Sequence, residues 1–71
     1  MATQSTTLAE ALPEEMRRVR DDLLPLYDAI PTGIFAATLM RQALDRATRT
    51  IMEGDTVGML RCYEELKGFN A

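Results

Sequence analysis

The chain has 71 residues, with 8 Lys+Arg against 11 Asp+Glu, no His, one Cys and no Trp. A chain of that length holds one small domain, whose core supplies about 3–5 kcal/mol and commonly leans on disulfides, metal or self-association. Cys62 has no second cysteine to bond and, without histidine, cannot build a tetrahedral zinc site, so self-association is the aid that is left. Hydrophobic residues make up 46% and charged residues 27%, the balance of a globular chain. A net charge of −3 argues against sequence-independent binding to phosphate backbones. The longest uncharged stretch, residues 29–40, is too short to cross a bilayer. Residues 1–7 carry neither a basic region nor a long apolar one, so no export signal is expected. With a free thiol, that points to the cytoplasm.

Residues 1–11 are expected to be a flexible segment and residues 12–71 a single helical domain. Thr7 and Glu10 have capping-box spacing, but Pro13-Glu14-Glu15 is the firmer helix start, with proline at a first helical position and acids favoured by the helix dipole. Leu12, Met16, Val19, Leu23, Leu26 and Ile30 then recur at helical spacing and form one apolar seam. Glu14 with Arg18, and Arg18 with Asp22, are predicted to pair along the outer face. Pro25 removes a backbone donor inside the seam and predicts a kink.

Ile30-Pro31-Thr32-Gly33 is the first loop. A second helix is predicted over residues 32–53, with Ala37, Met40, Leu44, Ala47 and Ile51 as its apolar stripe and Ala36 and Ala43 beside it. Glu53-Gly54-Asp55 is the sharpest break, with Gly54 suited to a left-handed C′ position and Asp55 to an N-cap. A third helix over residues 56–67 presents Met59, Leu60, Tyr63 and Leu66, and Gly58 weakens its first turn. The two-residue connection makes these helices an antiparallel hairpin. The fold class is all-α, a kinked first helix followed by an antiparallel helical hairpin, and the chain is expected to dimerise.

Without histidine there is no imidazole base or hydrolytic triad, and the four glycines are too dispersed for a phosphate loop. Asp21-Asp22 and Glu64-Glu65 are helix neighbours that point about 100° apart and read as solvated faces. No enzyme, cofactor or metal is expected, and Cys62 reads as a buried thiol beside the third stripe. As a DNA reader the third helix would carry a net negative charge, so direct binding to nucleic acid is disfavoured. Met16, Met40, Met52 and Met59 read mainly as core filler.

Two surfaces are candidates for partner binding. The corner at residues 27–35 gathers Tyr27, Ile34 and Phe35 around a turn, where polar residues are the norm. The first helix carries Asp21, Asp22 and Asp28 as an acidic face for a basic partner. Met16, Val19, Leu23, Leu26, Met40, Leu44, Ile51, Leu60 and Tyr63 are assigned to the core or to a dimer seam.

The run Glu14-Glu15-Met16-Arg17-Arg18-Val19-Arg20 is followed by Leu23-Leu24-Pro25-Leu26-Tyr27-Asp28-Ala29-Ile30. The hairpin then runs from Glu53-Gly54-Asp55 through Tyr63-Glu64-Glu65-Leu66-Lys67-Gly68. In size and order of features these segments resemble the small early host-takeover proteins of transposable Pseudomonas phages. The resemblance implies a helical, dimeric, non-catalytic protein. Such a protein would bind the DNA-binding domain of a LuxR-type quorum-sensing activator and block a type IV pilus assembly ATPase. It assigns no residue a role. The alternative is a small dimeric structural or assembly module, and direct DNA binding ranks third.

Overall fold

The computed structural model describes residues 7–70. All regular structure among them is helical. Helix α1 (Leu8–Arg17) passes through a π-helical stretch (Arg18–Leu23) into the short α2 (Leu24–Asp28). A 3-10 turn (Pro31–Gly33) opens α3 (Ile34–Glu53), and α4 (Thr56–Lys67) completes the hairpin.

Helix α1 starts at Leu8, five residues before the expected start at Pro13. Thr7 is its N-cap, and the Thr7 N–H donates to Glu10 Oε1 at 3.4 Å. Pro13 is tolerated inside the helix because it lies on the exposed side, where water reaches the carbonyl of Ala9 that its missing N–H leaves free. Of the segment over residues 1–11, residues 1–6 lie outside the described residues, and Leu8 packs on the core.

The π-helical stretch explains why the predicted seam fails after Leu23. The N–H of Leu24 donates to the carbonyl of Val19, five residues back, and Pro25 follows near the start of α2 with no N–H to place. One extra residue in that turn sets the following chain back by about 100°. Leu12, Val19 and Leu23 are therefore buried as predicted, whereas Leu26 and Ile30 face outward and Leu24 and Tyr27 pack on the core in their place. The predicted ion pairs change partners as well. Glu14 pairs with Arg17 at 3.1 Å, Arg18 with Glu15 at 3.0 Å, and Arg17 reaches Asp22 across the π turn at 3.4 Å.

Gly33 is buried for a reason unrelated to unusual dihedrals, since its φ is −88°. A Cβ at this position would lie 2.3 Å from the carbonyl oxygen of Tyr27, so the end of α2 crosses the start of α3 through the space glycine leaves. Helix α3 then buries Ala37, Met40, Ala43 and Ala47, and the three alanines let its neighbours approach closely. Leu44 is half-buried and Ile51 exposed, so the predicted stripe holds in the middle of the helix and lapses at its end. Gly54 takes the predicted left-handed conformation with φ 67°, and Asp55 accepts the N–H of Gly58 at 3.0 Å.

Cys62 and Leu66 of α4 are buried with Leu12, Val19, Leu23, Met40, Ala43 and Ala47 in one core. Arg18, which was expected on the outer face, is the residue that ties this core shut. Its Nη2 donates to the carbonyls of Leu66 at 3.0 Å and Phe69 at 3.1 Å, placing a cation at the C-terminus of α4. The Tyr27 hydroxyl donates to the carbonyl of Asn70 at 2.6 Å, a second clasp on the same segment.

The resulting body measures 42 × 29 × 15 Å. The radius of gyration of 12.9 Å is larger than the roughly 11 Å of a compact chain this long, so the body is elongated and flattened around its core.

Candidate functional site

The candidate site is the corner where α2 turns into α3. The π turn has already directed Leu26 and Ile30 outward, and Pro31–Gly33 then reverses the chain so that Ile34 and Phe35 open α3 at the surface. Ile34 is 71% and Phe35 72% exposed, values unusual for side chains of that size. Leu39, one turn beyond Phe35, extends the patch. Pro25, Leu26, Ala29 and Ile30 line an open hollow of about 550 Å³ against the ring of Tyr27. The corner therefore carries exposed apolar side chains, aromatic bulk and a concavity within a short stretch of chain.

The predicted site residues divide into three sets. Ile34 and Phe35 stand free at the corner. Tyr27 stands at its edge, but its ring packs on the core and its hydroxyl is held by Asn70, so it buttresses the corner from beneath. Asp21, Asp22 and Asp28 are exposed, and each is matched by an arginine. Asp21 meets Arg20 at 2.9 Å, Asp22 meets Arg17 at 3.4 Å and Asp28 meets Arg41 at 2.6 Å. The hydrogen bond from Arg20 holds the Asp21 carboxyl below its ordinary value of 3.8, and the same pairing raises Arg20. The face expected to be acidic is therefore largely paired, with Asp22 sharing Arg17 with Glu14.

The assigned seam divides in the same way. Val19, Leu23 and Met40 are buried within the chain, and Met16, Leu44 and Tyr63 pack against them, so these six serve the core. Leu26, Ile51 and Leu60 are exposed and available to a partner. Sequence reasoning missed Ile30 as a surface anchor, because it placed this residue at the end of a helical seam that the π turn rotates away.

Among the described residues no group of His, Cys, Asp and Glu is arranged to hold a metal ion, and no helix is long and apolar enough to cross a membrane. No family model, no curated protein and no solved structure matches the chain.

Proposed function

We propose that this chain acts by protein–protein contact, as a homodimer joined through the corner of Leu26, Ile30, Ile34 and Phe35, and carries out no chemistry. The observation that supports the reading is the exposure of that patch on a small, flattened body whose core alone is small for a stable domain. In the dimer the first helical rod, kinked at its π turn, packs with the hairpin of each protomer. Asp21, Asp22 and Asp28, each with its arginine, form the polar rim.

The target follows from the resemblance to phage host-takeover proteins. The dimer masks the DNA-binding domain of a LuxR-type activator, which then loses its promoter by competition, and a type IV pilus assembly ATPase is the second target. Because the carboxylates of the rim are paired with arginines, the apolar anchors of the corner supply most of the dimer's affinity, and salt has only a modest effect on dimerisation.

Light scattering after size exclusion tests the reading with the chain alone, with an isolated LuxR-type DNA-binding domain, with the pilus ATPase and with naked duplex DNA. The expected results are a dimer, a co-migrating complex with the domain and no complex with DNA. A dimer that ignores both proteins would reject the inhibitor reading and leave an assembly module. A chain that binds duplex unaided would reject both.

A further inference from the structure

The opposite end of the molecule carries a second surface of different character. Between α1 and α4 runs an open groove of about 590 Å³. Leu8 and Ala11 of α1 and Leu60 and Tyr63 of α4 form its apolar lining, and Glu10, Glu14 and Glu15 line its α1 edge, Glu14 paired with Arg17 and Glu15 with Arg18. Leu60 is exposed, as are Val57 one turn before it and Met52 at the end of α3. The α1 edge spans residues 8–15, about 10 Å along a helix axis, which accommodates two turns of a bound helix.

The charge of the molecule is concentrated toward this end of the chain's elements. Ion pairs join six arginines to seven carboxylates, leaving one negative charge unmatched among them. The other two negative charges of the net −3 come from Glu10, Glu53, Asp55 and Glu64, set against only Arg61 and Lys67. Glu10 lies in the groove wall as its carboxylate without an arginine partner, beside Glu14, which Arg17 pairs. Glu64 follows Leu60 by one turn of α4. Lys67 is drawn over the Tyr63 ring at 5.2 Å from its centroid.

We infer that this groove is a docking site for a short amphipathic helix with basic flanks. Its apolar lining suits side chains at i, i+3 or i+4 and i+7 of such a helix, and the surplus carboxylates at its edges suit lysine or arginine beside them. A second copy of the chain fits poorly. A groove packed on its own symmetry mate would bring Glu10, Glu14 and Glu64 against the same residues. A groove packed on the neutral corner of another copy would repeat without closing. The inference concerns a different surface from the corner and does not depend on which host protein the dimer masks.

The probe is a synthetic leucine–lysine amphipathic helix, with a leucine–glutamate twin as control, titrated into the full chain and followed by anisotropy and backbone amide shifts. The leucine–lysine helix is expected to shift residues 8–15 and 57–64 and to bind at least about tenfold more tightly than its twin, an advantage that shrinks as salt rises. Glu10→Gln with Glu64→Lys should remove most of that difference. Leu60→Ser should weaken both peptides, and Gln42→Ala, at an exposed position of α3 outside the groove, should leave both unchanged. Equal binding of the twins, shifts confined to residues 26–39, no binding at all, or groove shifts that appear on self-association without peptide would each overturn the inference.

Discussion

At the corner, Leu26, Ile30, Ile34 and Phe35 stand exposed beside carboxylates that arginines neutralise. At the hairpin end, Met52, Val57 and Leu60 stand exposed near carboxylates without arginine partners. Apolar exposure is similar at the two ends, so it does not by itself distinguish their partners. The charges around it do. A neutral patch can meet its own copy across a two-fold axis without repulsion, whereas an acidic one is suited to a basic stranger.

The ends also differ in how they are held. The corner depends on the Tyr27 carbonyl crossing Gly33 and on contacts between residues far apart in sequence, the Arg18 and Tyr27 clasps on the C-terminal segment. The hairpin end is held by the local devices of Gly54 and Asp55. The largest expected effect therefore lies at the corner. Gly33→Ala places a Cβ 2.3 Å from a backbone oxygen that has no rotamer to escape into, and should cost about 3 kcal/mol in chemical denaturation. Arg18→Met follows, with the loss of charge-assisted bonds to two carbonyls and to Glu15, at about 2 kcal/mol. Amide exchange should show that loss first at residues 66–70.

The hairpin end gives a subtler result. By helix propensity Gly58→Ala should gain about 1 kcal/mol, but its Cβ would lie 2.3 Å from Asp55 Oδ2 and 2.8 Å from Thr50 Cγ2. The substitution should therefore bring no gain in stability, and a full propensity gain would show that the cap and α3 yield freely. The smallest effect concerns Asp21. Its carboxyl is held below 3.8 by Arg20, so the pair contributes above that value, and the contribution fades as pH falls through the lowered titration. Asp21→Asn should slightly lower the melting temperature at neutral pH and flatten the acid limb, the two profiles converging once the carboxyl of the natural chain is protonated.

Much of this was legible from residue order. Gly54 and Asp55 specify the hairpin by local chemistry, and α4 spans the predicted residues. The burial of Val19, Leu23, Met40 and Leu66 follows from helical spacing. What spacing could not convey was the π turn. Pro25 signals a break in hydrogen bonding, but the number of residues absorbed by the break depends on tertiary packing. That one residue decides whether Leu26 and Ile30 are core or surface. Arg18 was misplaced for a related reason, since its true partners are 48 and 51 residues away and pairs four residues apart offered a nearer answer. The neutralisation of Asp21, Asp22 and Asp28 was likewise hidden, because Arg41 lies on another helix and the π turn sets the Arg17–Asp22 pair.

The central claim is that the corner joins two copies of the chain. Sedimentation velocity at micromolar concentration, on the natural chain and on Phe35→Asp, tests it most directly. The account predicts a dimer that becomes a monomer on substitution while the helical signal in circular dichroism is unchanged. A natural chain that sediments as a monomer, or a variant that remains a dimer, would contradict it.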